Sequence, residues 1–215
     1  MDKLTITMTL KSPLITNGGY MTFDALLAAL IFDQSGDFEQ AHSAIPLRNT
    51  AGVWHGSAAV YDPLATERKS FIANLRADHD MDLDLISKNT KGNSHTTIGP
   101  KRRRQFGPVA NSYTMVATRE VVWYAEGDGD AIRRLMATLD FIGKRRASGF
   151  GEVAHVSIDA GELDGVTGYF GDPLRPIPED LFTGDRDALR ADAAWRPAYW
   201  HPANRAICYV PAPNT

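Results

Sequence analysis

Between positions 143 and 151 the sequence reads Gly143-Lys144-Arg145-Arg146-Ala147-Ser148-Gly149-Phe150-Gly151, the residue types that a sugar-phosphate backbone calls for. The guanidinium groups of Arg145 and Arg146 can pair bidentately with phosphate oxygens, Lys144 adds a point charge, and Ser148 both donates and accepts. Gly149 and Gly151 permit positive φ, so main-chain amides can turn toward an anion. Phe150, held between them, offers a ring on which a base can stack. The cations alone have a plainer explanation. Apolar residues at Ile132, Leu135, Met136 and Leu139 mark a helix over 131–142 ending at Gly143 as its C′ residue, and basic residues there would complement the helix dipole. That explanation leaves Ser148 and Gly149-Phe150-Gly151 unaccounted for. A dinucleotide fingerprint or a P-loop would run from strand through glycines into helix, and here the order is reversed.

A second cationic cluster, Lys101-Arg102-Arg103-Arg104, lies in a stretch from Ile86 to Pro108 that also holds Lys88 and Lys91 and has no carboxylate. The whole chain of 215 residues carries a formal charge of −3, so the distribution of cations, not their total, points to a polyanion. Two basic loops converging on one groove would account for both clusters. Arg48 and Trp54 are further candidates on the sheet side.

Catalytic and metal chemistry find less support. Of six histidines, His42 after the first helix and His55 beside Trp54 are the candidate general bases if the chain cleaves RNA, and neither has a visible catalytic partner. Asp80, Asp82 and Asp84 alternate as in a calcium loop, but Leu85 and Lys91 stand where that loop needs Gly and Glu. The His79-Asp80 pair has no further ligands in view. No metal and no cofactor is expected. The single cysteine, Cys208, excludes an intrachain disulfide and fits a reducing compartment, and with no secretory leader or membrane-length apolar run the chain is expected in the cytoplasm.

The elements that must position these groups follow from periodicity. Leu4, Ile6, Met8 and Leu10 alternate with threonines as a half-buried strand, and Phe23, Leu26, Leu27, Leu30 and Ile31 form a helical stripe with Thr22 as N-cap. Strands are expected at 53–61, 112–125 and 152–158, with Ala154, Val156 and Ile158 on one face, and a short helix could lie within 66–85. The resulting order, βαββαβ, is that of an α+β, ferredoxin-like (RRM-like) domain over 1–160. A basic thumb-like insertion occupies 64–110 between strands two and three. Residues 161–215, rich in proline with Trp195, Tyr199 and Trp200, are expected as an irregular extension packed on the domain.

With these residues in place the chain resembles the RAMP superfamily of CRISPR-associated proteins. The likeness rests on Phe23-Asp24-Ala25-Leu26-Leu27-Ala28, on Ile45-Pro46-Leu47-Arg48 leading to Gly52-Val53-Trp54-His55-Gly56-Ser57, and above all on the glycine-rich loop from Ile142 to Val153. The tail, with Arg175-Pro176-Ile177-Pro178 and Tyr199-Trp200-His201-Pro202, looks most like the small RAMP subunit of type IV systems. The resemblance implies a non-catalytic subunit of an antiviral ribonucleoprotein effector. It would cap the 5′ handle of the guide RNA (crRNA) beside backbone and large subunits and meet target DNA only through the complex. Some relatives are metal-independent endoribonucleases that mature the guide, which is the alternative role. Asn17 to Tyr20, where a base would be sought, contain no His.

Overall fold

The computed structural model describes residues 1–16, 18–73, 91–92 and 109–213; Lys88 and Lys101 to Arg104 lie outside them. In chain order the elements are β1 (Asp2–Leu10), β2 (Leu14–Thr16), α1 (Phe23–Ser35), α2 (Phe38–Ser43), β3 (Asn49–Thr50), β4 (Val53–Trp54), β5 (Ala65–Ala73) and β6 (Val109–Ala117). There follow β7 (Glu120–Gly127), α3 (Gly129–Met136), β8 (Val153–Ala160), β9 (Ile177–Pro178), β10 (Arg190–Ala194) and β11 (Arg205–Tyr209). The protein is mixed α and β, built on small antiparallel sheets. Two compact units are formed, one from Met1–Thr66 with Met115–Thr215 and one from Glu67–Thr114. Among the described residues no helix is long and apolar enough to cross a membrane.

In the first unit β1 is the centre of an antiparallel sheet of order β7-β1-β8. Its alternation puts Leu4, Ile6 and Met8 on a buried face, opposite Trp123 and Val121 of β7, and Leu27 and Ile31 of α1 with Ile132 and Met136 of α3 complete that core. Fully burying each such side chain stabilises the fold by ~1.5–3 kcal/mol. A register shift between Thr9 and Leu10 brings Val153 opposite Leu10, so Val153, Val156 and Ile158 pack on the core while Ala154 does not. The bulge, invisible to simple alternation, moved the inward position by one residue.

Several boundaries differ from the pattern reading. The expected strand over 53–61 is β4 followed by bridges Gly56 to Ala125 and Val60 to Val122. The single strand expected over 112–125 is two, separated where the Thr118 hydroxyl donates to the Glu120 carbonyl. In the second unit the start of the insertion is strand, not helix: Ser70 and Ser112 hydroxyls meet at 2.8 Å, and the Phe71 and Tyr113 rings lie 6.0 Å apart. The last third is not irregular throughout, since β10-β11-β9 form an antiparallel sheet with Ile177, Phe182 and Tyr209 clustered around Val53 of β4. Pro178 sits in an edge strand, where a missing N–H is tolerated.

The deepest charges in the described residues are Asp24 and Arg175, both 0% exposed. Thr22 stands at the N-cap of α1 but makes no side-chain cap, because its hydroxyl donates to Tyr199 Oη at 2.8 Å. Asp24 instead turns inward, its Oδ1 accepting from Arg175 Nη1 at 3.1 Å and its Oδ2 from Tyr199 Oη at 2.6 Å. Arg175 also donates to the carbonyls of Trp54, Gly56 (3.0 Å) and Trp195 (2.7 Å). Burial by itself lowers the Arg175 pKa, but Asp24 and Tyr199 together outweigh it and the net shift is upward.

Removing one member of such a pair leaves an uncompensated buried charge, so Arg175→Met or Asp24→Ala is expected to destabilise by ~3–5 kcal/mol. The double variant should cost clearly less than the sum. Urea unfolding of the four proteins measures the coupling, and additive losses would mean that the pair does not interact as described.

Candidate nucleic-acid interface

The glycine loop is built on the chain that follows β1. Lys144 N–H donates to the Ile15 carbonyl and Gly151 N–H to that of Pro13, both at 2.9 Å, while Ile142 N–H closes the base of the loop on the Gly151 carbonyl. The Ser12 hydroxyl accepts from Glu152 N–H at 2.8 Å, and Lys11 pairs with the Glu152 carboxylate at 3.0 Å. Both ends are therefore fixed, and the tip between them is a 3-10 turn at Arg146–Ser148 flanked by Arg145 and Gly149 in the left-handed region. Lys144, Arg146, Ala147, Ser148 and Gly149 are exposed, and Arg145 and Phe150 are half-buried.

This geometry removes the helix-dipole explanation of the cations. The expected helix over 131–142 is α3, which is capped by the Asp128 carboxylate on the amides of Asp130 and Ala131 and stops at Met136. Its last turn carries Arg133 and Arg134. Leu139 and Ile142 still reach the core, but through an irregular segment, so a helical spacing of apolar residues concealed the early stop. Gly143 is thus not a helix C′ residue. At the tip, Arg146 lies 3.9 Å from Asp33, and both groups are more than half exposed, a pairing worth little.

The two glycines near the tip have different duties. A Cβ on Gly151 would lie 2.0 Å from the Ile142 carbonyl oxygen, whereas one on Gly149 would meet nothing within 4 Å. Gly151 is where the loop closes tightly on itself. Gly149 supplies only its φ of 81°, leaving open space over the main chain at the exposed tip.

The other candidates are distributed differently. Lys91 is exposed in a turn. Arg48 is exposed and its Nη1 donates to both Glu126 carboxylate oxygens, at 3.1 and 3.2 Å. Trp54 is half-buried against the main core. His42 is half-buried at the end of α2, its ring 6.5 Å from that of Phe38. His55 is buried, with Nε2 2.9 Å from Thr50 Oγ1 and Nδ1 between Asp164 Oδ2 (3.4 Å) and Glu126 Oε2 (3.6 Å). Glu126 and Asp164 were not legible as partners of His55, because they come from β7 and from the turn after β8. Burial works to raise the Asp164 carboxyl, but the adjacent His55 ring and the amides of Val166 and Thr167 hold it down to about 2.

The sequence matches the family described as CRISPR type IV associated protein Csf3 over residues 2–211. The chain belongs to this family. No curated protein matches it.

The division between the glycines is testable by unfolding. Gly149→Ala should cost only the left-handed conformation, ~1–2 kcal/mol, and keep the loop in place. Gly151→Ala should cost distinctly more, since the new methyl collides with backbone. Equal losses in urea titrations of the two variants would contradict this assignment of roles.

Proposed function

We propose that this Csf3-family subunit grips the 5′ handle of a guide RNA within a type IV ribonucleoprotein, with the 143–151 loop as its anchor. The observation that carries the reading is the exposed tip itself: cations, a hydroxyl and an open glycine, held at both ends by main-chain bonds to Pro13 and Ile15. A fixed loop loses little conformational freedom on binding. Phosphate contacts from such a loop would set register, and guide–target pairing would supply sequence specificity.

In this reading the domain is ferredoxin-like, as in the RAMP superfamily. β1, the 55–60 segment, β7 and β8 serve as its four strands, α1 and α3 as its helices, and the 64–110 insertion with Lys88, Lys91 and Lys101 to Arg104 as a basic thumb that adds to the grip. Backbone and large subunits are its neighbours in the complex, which works in the cytoplasm. The subunit in this reading is a scaffold that does not cut RNA: His55 is buried, its ring taken up by Thr50, Glu126 and Asp164, and His42 packs beside Phe38.

Replacing Lys144, Arg145 and Arg146 together by Ala should weaken guide-RNA binding and flatten its salt dependence, the slope falling by ~0.7 for each single-strand phosphate no longer neutralised. Fluorescence anisotropy across a salt series measures this, and an unchanged slope would exclude the loop from the interface. Incubation of the protein with repeat RNA in EDTA should leave the RNA intact. Specific cleavage abolished by His42→Ala would reassign the subunit as a guide-processing ribonuclease.

A further inference from the structure

His55, Glu126 and Asp164 bring three metal-ligand atoms within 4.8 Å of one another, and the imidazole among them is in an unusual state. Its side chain is 9% exposed, yet Nδ1 has no hydrogen-bond partner while aimed between two carboxylates. Leaving a buried polar atom unsatisfied is destabilising, so its position needs a cause. The separations of 3.4 Å to Asp164 Oδ2 and 3.6 Å to Glu126 Oε2 exceed the ~2.7–3.2 Å of N–H···O bonds. They match the spacing of ligands around a tetrahedral ion: at a metal–ligand distance of about 2.1 Å, neighbouring ligand atoms stand about 3.4 Å apart.

The outer contacts point the same way. Nε2 of His55 lies 2.9 Å from Thr50 Oγ1; an ion would take the place of any proton on Nδ1, with the Nε2 proton donated to Thr50. Asp164 Oδ1 accepts from the amides of Val166 (2.9 Å) and Thr167 (3.2 Å), which leaves Oδ2 toward His55. Glu126 is held by Arg48. Every prospective ligand thus has a partner that fixes its orientation, the arrangement that metal sites use. Asp164 retains 29% side-chain exposure and Glu126 14%, an entry path for an ion from solvent.

We propose that His55 Nδ1, Glu126 Oε2 and Asp164 Oδ2 bind one divalent first-row transition ion. Two carboxylates, that of Glu126 shared with Arg48, offset its charge in part, and a mixed imidazole–carboxylate donor set suits such ions. The bound ion clips the turn after β8 to β7 and to the segment just after β4, a structural cross-link separate from the glycine loop.

Zn²⁺ titrated into the full metal-stripped chain at neutral pH, followed by calorimetry, should bind at one ion per chain and raise the melting temperature. Asp164→Asn should abolish this binding, and Thr50→Val, which removes only the outer partner, should weaken it ~10–100-fold. Nitrogen-15 NMR of wild-type His55 gives a readout that needs no variant: Nδ1 should shift to the ligated form and saturate at one equivalent. The proposal is overturned if His55 stays an imidazolium bridging the two carboxylates while Zn²⁺ is added. It is equally overturned if folded Asp164→Asn binds Zn²⁺ as tightly as the wild type.

Discussion

A guanidinium buried without water must find an acceptor for nearly every N–H, and the placement of Arg175 sets much of the first unit. Its two terminal nitrogens engage Asp24, Tyr199 and the carbonyls of Trp54, Gly56 and Trp195, while Nε remains without a partner. The pair joins the first turn of α1 to residues in the last third of the chain. The bonds of Arg175 to the carbonyls of Trp54 and Gly56 also tie it to β4 and the segment just after it. Thr22 gives up its capping role for the same network. Such a pair need not add net stability over an apolar replacement, but breaking it is costly, so it acts as a demand that the last third of the chain be docked in one way.

How much of this was legible in the sequence depended on whether a pattern was local. The period-two face of β1 and the apolar stripe of α1 could be read directly, as could the concentration of cations at 144–146, because each is set by neighbours within a few residues. The stop of α3 at Met136 was hidden, since Leu139 and Ile142 continue the helical spacing while reaching the core by another route. The terminal sheet was masked by prolines and by β10, whose Arg190-Ala191-Asp192-Ala193-Ala194 has little strand propensity and owes its state to pairing with β11. In sequence Asp24 holds the place of an ordinary first-turn acid. Only the fold could show it facing Arg175, because nothing in a linear pattern joins residues so far apart, and the same holds for His55 with Glu126 and Asp164.

Charge is used in two opposite ways in the described residues. Inside, the Asp24 carboxylate and the Arg175 guanidinium are matched, and the cost of desolvation makes their geometry strict. At the tip of the glycine loop, Lys144 and Arg146 are exposed, Arg146 with Asp33 as a loose counter-charge, and here it is the main chain that is held. The first arrangement specifies structure and the second suits a polyanion, whose phosphates would supply further counter-charge. The loop needs its rigid seat on the residues after β1, and that seat lies in the same compact unit as the buried pair and the His55 cluster.

The most direct test of the loop as the RNA anchor is ultraviolet crosslinking of the assembled guide-loaded complex, with the linked residues and nucleotides mapped by mass spectrometry. Crosslinks are predicted from handle nucleotides to Phe150 and its neighbours in the 143–151 loop. Handle nucleotides crosslinked only to other surfaces or other subunits, with this loop unmodified, would contradict that role.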